Sequence, residues 1–275
     1  MYRAMTAENY RRGLRLPPGY RVDALVLHGC GQDYPRTMMS QALGDLGHGP
    51  LTSAPIESIP ALRATVAGHH VIWHALVYGG ALTCELTHLA CMLGARCAIF
   101  IGTCGGLSPQ AAAADHVVPE AVHADESSTR AYQGPDGDHL HHADPGLSEQ
   151  IARALANSGR AVWRGRTVTH QAQLAEDEQQ IRTWSGQGYV GVEMEAASLL
   201  APAAAFTVPA AAILVIADNL IAGQSMFDPD FRSGRATRRG ALAAAYTAAL
   251  PVLLDHLETT AEPATVHSTT SEASP

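Results

Sequence analysis

The sequence predicts an α/β protein in which helices cover a central sheet. Short apolar segments alternate along the chain with longer segments of helical periodicity, which is typical of a sheet with helices on its faces. Several apolar segments lack the polar–apolar alternation of a strand with one wet face, so both faces of the sheet are expected to be covered. No internal repeat and no linker interrupts the pattern, which favours a single domain.

The predicted elements follow the apolar segments in chain order. Predicted strands lie at residues 24–29, 70–77, 97–102, 115–122, 160–169, 189–194 and 210–217. Predicted helices lie at residues 36–46, 82–93, 146–158, 174–186, 195–206 and 234–257.

Two segments fall outside this pattern. Residues 131–146 form a polar, Gly/Pro-rich stretch that predicts a loop, and the Thr/Ser/Ala/Glu/Pro-rich tail predicts disorder. The loop contains three histidines but no Cys or Glu at metal-ligand spacing, so no metal site is expected there.

The composition limits the classes of function. Of 275 residues, 47% are hydrophobic and 16% charged, which suffices for a sizeable core. The net charge of −8 argues against a nucleic-acid partner or an anionic membrane surface, because both require a basic face.

The cysteines and the N-terminus predict a soluble, cytoplasmic protein. The five cysteines are odd in number and show no CxxC spacing, which favours reduced thiols. The N-terminal segment has no apolar h-region, and the longest apolar run, 203–217, is too short for a membrane helix. The cysteines are Cys30, Cys84, Cys91, Cys97 and Cys104.

The first motif that indicates a site is IGTCGGLSP, residues 101–109. Its glycines follow a predicted strand and allow backbone N–H groups to approach an anion or a sugar closely. The motif is not GxGxxG, and no helix follows it as a dinucleotide-binding fold requires. A tight structural turn is the alternative.

The second motif is VIADNL, residues 215–220, in which an aliphatic strand ends at Asp218. Groups beyond the carboxyl ends of strands face the ligand crevice of an α/β sheet. An aspartate between apolar walls favours its protonated form, as a general acid requires. The alternative is that Asp218 caps the following turn.

The third motif is GVEMEAASLL, residues 191–200. If the strand continues through it, Glu193 and Glu195 point to the same side, where a carboxylate can accept hydrogen bonds from the vicinal diol of a ribose. The alternative is that the acids offset the dipole of the following helix.

These three motifs, in this order and spacing, resemble the nucleoside phosphorylase family. The family includes hexameric purine nucleoside phosphorylases, uridine phosphorylases, methylthioadenosine nucleosidases and AMP nucleosidase. The resemblance covers residues 22–257, which leaves residues 1–21 as an N-terminal arm and 258–275 as a tail. It implies a three-layer fold with a central mixed twisted sheet, and a homo-oligomer.

The resemblance also implies roles for the sugar and base. Glu195 would bind the ribose 2′ and 3′ hydroxyls, Met194 would pack under the sugar, and Glu193 would lie close to the nucleoside. Asp218 would protonate or hydrogen-bond the leaving base. The pair Asp218-Asn219 favours a purine, because a protonated aspartate suits purine N7.

Further residues match the family around these positions. Thr103 matches the residue that contacts phosphate or the nucleophilic water, and Gly105 lies in the same turn. Gly79 lies in the turn that closes one wall. Arg130 would contact the substrate from the loop over the base and 5′ side, and Arg232 or Arg235 would be the arginine beside Asp218.

Two hypotheses differ in the nucleophile, which is water in hydrolysis and phosphate in phosphorolysis. The phosphorylases carry GDPxR after the first strand and an arginine before the glycine turn, whereas this chain lacks GDP and has Phe100 at the second position. Asp33 lies near the acid that helps activate water in the nucleosidases. Hydrolysis is therefore favoured, with no cofactor; phosphorolysis, with inorganic phosphate as co-substrate, is the alternative.

The base pocket departs from the family as well. The stacking aromatic of the hexameric phosphorylases corresponds to Gln173, so either an amide holds the base or stacking comes from Phe100, Tyr132 or Phe227. A purine ribonucleoside is the expected substrate. A non-catalytic nucleoside-binding protein and a nicotinamide-dependent oxidoreductase are the alternatives from other classes.

Overall fold

One mixed sheet organises the chain. The structure is a computed structural model that describes residues 4–29, 33–56, 59, 62–133 and 137–260. Its strands are β1 (Ala24–Gly29), β2 (Thr52–Ser53), β3 (Leu62–Ala67), β4 (His70–Val77), β5 (Cys97–Gly106), β6 (His116–Asp125), β7 (Leu140–His142), β8 (Val162–His170), β9 (Tyr189–Glu193) and β10 (Ala210–Asn219). Its helices are α1 (Ala7–Gly13), α2 (Tyr34–Asp45), α3 (Gly80–Met92), α4 (Arg130–Gln133), α5 (Pro145–Asn157), α6 (Glu178–Gly186), α7 (Ala196–Ala205) and α8 (Arg235–Thr259).

The sheet closes on itself along part of its width. Its strand order is β10-β6-β8-β9-β5-β1-β4-β3-β2, and β10 also pairs with β5, so β5, β10, β6, β8 and β9 form a ring. Strands β1, β4, β5 and β10 run parallel, which brings their carboxyl ends to one edge. The end of β9 reaches the same place, because Val192 pairs with Gly105 on β5.

Apolar layers cover both faces of the sheet. Along β5, Ala98 and Phe100 pack with α3 and α7, whereas Ile99 and Ile101 pack with α2, α5 and α8. The continuous burial of β1 follows from the same arrangement. The predicted α/β class and the central mixed sheet flanked by helices are therefore confirmed.

Local capping explains where several helices begin. Asp144 accepts a hydrogen bond from the N–H of Leu147 and so starts α5, with Pro145 at the first helical position. Asp177 caps α6 in the same way through the N–H of Gln180. For this reason the helix predicted over 174–186 begins only at Glu178, after a single 3-10 turn at Gln173–Ala175.

The structure corrects the sequence analysis at several short elements. Strands β2, β3 and β7 and helices α1 and α4 were not predicted, since each is too short or too polar for a periodicity signal. The loop predicted over 131–146 contains part of α4, the strand β7 and the start of α5; its residues 134–136 lie outside the described part. The tail beyond residue 260 and Cys30 also lie outside it, and the four described cysteines carry free thiols.

Helix α8 is long and apolar enough to cross a membrane by length and composition alone. Half of its most apolar window is buried within the protein. Its buried face, which includes Leu242, Tyr246 and Leu253, packs against the sheet with α2 and α5. A buried core helix meets the same criteria, so the helix is weak evidence for a membrane span.

Phe100 lies in the core rather than on the wall of a pocket. Its side chain is fully buried on β5, and its ring packs so closely under Gly29 that a Cβ there would lie 2.8 Å from the ring. The prediction that Phe100 contacts the substrate directly is therefore wrong. The ring instead supports the end of β1.

We expect Phe100→Ala to lower the free energy of unfolding by about 3–5 kcal/mol, because it leaves a cavity beneath the sheet edge. The matched control is Phe227→Ala, at a side chain that is 75% exposed and should change stability by less than about 0.5 kcal/mol. Urea unfolding monitored by circular dichroism measures both. Equal losses in the two variants would contradict the assigned burial.

Candidate active site

A cavity of about 110 Å³ opens at the sheet edge where the strands end. The predicted residues Thr103, Gly105, Gln173, Glu193, Met194, Glu195 and Asp218 line it. Gly29, Tyr78, Cys104, Glu176, Val192, Ala217 and Leu220 complete the wall. Residues that are far apart in the sequence thus meet because β1, β5, β9 and β10 end together.

Glu195 immediately precedes α7, and its side chain lines the cavity. Its side chain is buried, and one oxygen, Oε1, accepts a hydrogen bond of 2.6 Å from the N–H of Gly79. Gly79 has φ of +84°, a conformation that favours glycine. Gly79 therefore positions Glu195. Oε2 lies beside Gly29, where a Cβ would approach it to 3.0 Å.

Glu193 lines the cavity and also binds the start of α7. Its Oε2 accepts hydrogen bonds of 2.7 Å from the N–H groups of Glu195 and Ala196, and its Oε1 accepts one from the Thr169 hydroxyl. Thr169 in turn accepts a hydrogen bond of 2.9 Å from the N–H of Ala197. Both carboxylate oxygens of Glu193 thus stabilise the start of α7, one directly and the other through Thr169.

Both glutamates line the cavity, but strand periodicity is not the reason. Strand β9 ends at Glu193, so the strand periodicity no longer applies at Glu195. The helix-dipole explanation fits Glu193 and not Glu195. Met194, between them, lines the cavity, and its carbonyl accepts a hydrogen bond of 2.7 Å from Gln171 Nε2.

Burial perturbs both glutamates. It raises the pKa of Glu195 to about 7 and that of Glu193 to about 8, with the proximity of Glu195 contributing to the latter. Two buried carboxylates in contact through one backbone segment cannot both ionise without a large cost. The pair therefore holds less than two full negative charges near neutral pH.

Asp218 lies at the end of β10 and is 8% exposed. Burial raises its pKa to about 6, although a hydrogen bond from the Met226 N–H and the charge of Arg238 lower it. The carboxyl group therefore keeps a proton over part of the neutral range. The arginine acting on Asp218 is Arg238, whereas Arg232 lines an adjoining cavity.

Asn219 is a structural residue. Its Nδ2 donates hydrogen bonds to the carbonyls of Ser108 (2.9 Å) and Ala111 (2.6 Å), and its Oδ1 accepts one from the N–H of Ala222. These bonds tie the loop after β5 to the end of β10. The prediction that Asn219 binds the substrate is therefore wrong.

Two predicted residues do not reach the cavity. Asp33 has a side chain that is 83% exposed and forms an ion pair of 2.8 Å with Arg36. Arg130 is exposed on α4. Neither lines the cavity, so the predicted roles of Asp33 in activating water and of Arg130 in contacting substrate are not supported by their positions.

The structure adds residues that sequence reasoning missed. Tyr78 lines the cavity with a ring that is 68% exposed. Gln171 holds two walls together by accepting from the Gly80 N–H and donating to Met194. Burial raises the pKa of Glu176 to about 7, and Asp218 adds to that shift. Acidic residues are common before a helix, so the sequence around Glu176 gave no separate indication that this residue belongs to the site.

The aromatic residues that were candidates for stacking on the base differ in whether they border the cavities. Tyr132 bonds His88 Nδ1 at 3.0 Å and does not line the cavity. Phe227 is exposed and lines an adjoining groove with Gln173 and Glu176. Of these aromatics, Phe227 alone borders the space around Asp218 within the described residues.

Comparisons with known proteins identify the family of the chain. The family model described as the phosphorylase superfamily matches residues 78–248. A DeoD-type purine nucleoside phosphorylase of Geobacillus kaustophilus is 28% identical over 48% of this chain and 55% of its own. The chain thus matches about half the length of this curated relative.

Solved structures share the fold. The uridine phosphorylase of Vibrio fischeri ES114 superposes with a TM-score of 0.71 at 17% identity, over 85% of this chain and 95% of its own. The Helicobacter pylori MTAN superposes with a TM-score of 0.63 at 16% identity, over 85% and 99%. At these identities the likeness concerns the fold.

The chain therefore belongs to the phosphorylase superfamily, and the family predicted from the three motifs is confirmed. Within that superfamily its named relatives are nucleoside phosphorylases and a nucleosidase, in agreement with the prediction of an enzyme.

The perturbed glutamates predict an unusual dependence of stability on pH. Because the folded-state pKa of Glu195 is raised from 4.5 to about 7, its stabilising contribution is full below pH 4.5 and is lost as the pH rises through 7. We expect the free energy of unfolding to fall by about 1–3 kcal/mol between pH 5 and pH 8. Urea unfolding at several pH values measures this decrease.

Glu195→Gln keeps an acceptor for the Gly79 N–H but cannot ionise, so it should weaken the decrease. Glu149→Gln, at a side chain that is 57% exposed, is the matched control and should leave the decrease unchanged. A pH dependence that is identical in all three proteins would show that Glu195 ionises normally.

Proposed function

We propose that the protein cleaves the N-glycosidic bond of a ribonucleoside, with a purine as the favoured base. The observation that carries this proposal is the presence of Glu195 and Asp218 in one buried cavity. One carboxylate suits a ribose diol, and the other carboxyl group retains a proton for the leaving base. The names of the relatives, purine nucleoside phosphorylase and uridine phosphorylase, support the same class of reaction.

The mechanism follows from where charge develops. As the bond from C1′ to the base nitrogen breaks, its electron pair goes to the base, and positive charge grows on the ribose ring. Asp218 transfers its proton to the base nitrogen N7, which neutralises the leaving group. Glu195 accepts hydrogen bonds from the 2′ and 3′ hydroxyls and fixes the sugar, with Met194 against it. The nucleophile then bonds to C1′.

We favour water as that nucleophile. The position where phosphorylases carry a phosphate-binding arginine is occupied by the fully buried ring of Phe100. The attacking water loses a proton as it bonds to C1′, and that proton, relayed through solvent, restores the carboxylic acid of Asp218. Asp33 is not placed to act as a base for this water, because the Asp33 side chain points to solvent and pairs with Arg36.

Phosphorolysis that yields ribose 1-phosphate is the second candidate. It is favoured by the arginines that line the adjoining cavity, where Thr103 also lies. The base is proposed to be held near Asp218 by Gln173, which lines each of the cavities that meet there. A purine is favoured because a protonated aspartate suits N7.

We also propose the setting in which this reaction occurs. The protein acts in the cytoplasm as a homo-oligomer on a small-molecule nucleoside, without a resident cofactor or metal, and inorganic phosphate enters only in the phosphorolytic alternative. The acidic balance of the chain, with a net charge of −8, supports the absence of nucleic-acid and membrane partners.

We expect Asp218→Asn to lower kcat by about 10²–10⁴-fold, because it removes the proton donor. In the parent enzyme, kcat/KM should fall about tenfold per pH unit above about 6, the pKa of Asp218. Initial rates measured from pH 5 to pH 9 test both. Asp255→Asn, at an exposed position on α8, is the matched control. Unchanged turnover in Asp218→Asn would remove this residue from the mechanism.

A panel of purine and pyrimidine nucleosides, incubated with and without inorganic phosphate, separates the nucleophiles. Hydrolysis should release free base and free ribose at the same rate in both conditions. Release that depends strictly on phosphate, with ribose 1-phosphate as product, would replace hydrolysis by the second candidate. Binding of nucleosides without any release would indicate a non-catalytic nucleoside-binding protein.

A further inference from the structure

Glu176 lies where the cavity of the candidate active site meets the adjoining groove that Phe227 lines. The groove has a volume of about 350 Å³ and shares part of its wall with that cavity. Two of the four residues on the shared wall are acids, and one of them is the proposed proton donor. Glu176 therefore borders the same two spaces as Asp218. The shared wall consists of Gln173, Glu176, Asp218 and Leu220.

The carboxyl group of Glu176 has no structural partner within the described residues. Its side chain is half-buried, and it forms no hydrogen bond or ion pair with any of them. The two acids that follow it do have such partners. Asp177 caps α6 through the N–H of Gln180, and Glu178 pairs with Arg182, which also lines the groove. Helix capping and ion pairing therefore explain the neighbouring acids and do not explain Glu176.

A histidine held by an aspartate lies close to Glu176. His170 ends β8 and pairs in register with Asp125 at the end of β6. Its Nδ1 lies 3.0 Å from the Asp125 carboxylate, which can only accept, so Nδ1 donates this hydrogen bond and Nε2 is the acceptor of the neutral ring. Nε2 is buried and has no hydrogen-bond partner among the described residues. The ring packs against Trp184, with 5.4 Å between the ring centroids.

These groups form a series from the protein surface to the cavity. The Asp125 side chain is 48% exposed, whereas Asp218 is buried. Glu176 senses both neighbours in the series. Burial raises the pKa of Glu176 to about 7, the charge of His170 lowers this pKa, and the charge of Asp218 raises it. The series thus places an unengaged carboxyl group between a histidine and the proposed proton donor.

We propose that Glu176 returns a proton to Asp218 after each turnover, and that His170 and Asp125 connect Glu176 to solvent. The O–H bond of Glu176 breaks, and its proton bonds to the carboxylate of Asp218 across the cavity that both residues line. The carboxylate left on Glu176 then takes a proton from solvent by way of His170, since an imidazole can shuttle a proton between its two nitrogens. This inference rests on the proposed function, in which Asp218 gives its proton to the leaving base.

The rate at which water supplies protons shows why a carrier is useful. At pH 8, with about 10⁻⁸ M hydronium and a diffusion limit of roughly 10⁹–10¹⁰ M⁻¹s⁻¹, direct uptake gives roughly 10–100 s⁻¹. Typical kcat values of about 1–10³ s⁻¹ fall in the same range, so direct uptake can limit turnover. Glu176 keeps its proton to higher pH than Asp218, because their pKa values are about 7 and about 6. The transfer to Asp218 is therefore about tenfold uphill, and the leaving base draws it forward.

Steady-state kinetics of Glu176→Gln at pH 8 test the proposal, with the nucleoside that the parent enzyme cleaves fastest. We expect kcat to fall about tenfold or more, because Asp218 must wait for a proton from water. We expect kcat/KM to stay unchanged, because the free enzyme has time to take up that proton when substrate is scarce. Imidazole, added at constant pH and ionic strength as a proton donor, should restore kcat in the variant and leave the parent unaffected.

Two further variants complete the design. His170→Gln keeps a hydrogen-bonding side chain beside Asp125 but cannot shuttle a proton, so its kcat should also fall and also respond to imidazole. Glu149→Gln is the matched control, at a side chain that is 57% exposed on α5, and should behave as the parent does. Circular dichroism shows whether each variant folds, and either of the first two variants suffices if the other does not.

The outcomes separate this inference from the proposed function. Unchanged kcat in Glu176→Gln and His170→Gln, or equal losses in kcat and kcat/KM without a response to imidazole, would overturn proton return through Glu176. If Asp218→Asn is then inactive, the proposed function stands without this path. If the parent enzyme cleaves no nucleoside, the proposed function fails and this inference fails with it.

Discussion

The site depends on one buried carboxylate whose oxygens are held by hydrogen bonds within the protein. Glu193 accepts hydrogen bonds from Thr169 on β8 and from two N–H groups at the start of α7. These bonds join two strands and a helix at the point where the chain turns. The turn decides the direction of Glu195, whose carboxylate then meets the N–H of Gly79 from a third segment. A small displacement of this junction would move the Glu195 carboxylate relative to Asp218.

The same burial that orders the site also sets its chemistry. The carboxyl groups of Glu195, Asp218 and Glu176 lie at the edge of a dry sheet, where water solvates their charged forms poorly, so their pKa values rise to between about 6 and 7. A proton donor near neutral pH thus follows from position alone. The charge of Arg238 acts in the opposite sense and lowers the pKa of Asp218.

Much of the fold could be predicted because it depends on short-range patterns. Fully buried strands such as β1 and β10 appear as continuous apolar runs, and the carboxyl end of such a strand indicates where a ligand site lies. The position of Asp218 in the cavity agrees with this reasoning. Strand β3 and the short β7 were missed, because β7 has three residues and β3, with its exposed Val66, has no strong apolar periodicity.

The roles of individual polar residues were harder to predict, because hydrogen-bond partners come from distant segments. Asn219 directly follows Asp218 in the sequence, yet its side-chain amide donates its hydrogen bonds to the carbonyls of Ser108 and Ala111. Asp33 lies at a suggestive position in the sequence but points to solvent. The residues next to Asn219 and Asp33 in the sequence do not indicate either of these arrangements.

The sequence by itself determined the class of fold, the family and the strand end at which Asp218 stands, because those features follow from local apolar patterns and motif spacing. Only the tertiary structure decided that Glu193 binds the start of α7, whereas Glu195 accepts a hydrogen bond from Gly79. It also placed the Phe100 ring beneath Gly29, and Arg238 on the wall of a cavity that Asp218 lines. These outcomes depend on which side chains long-range packing brings together, and local sequence does not record that.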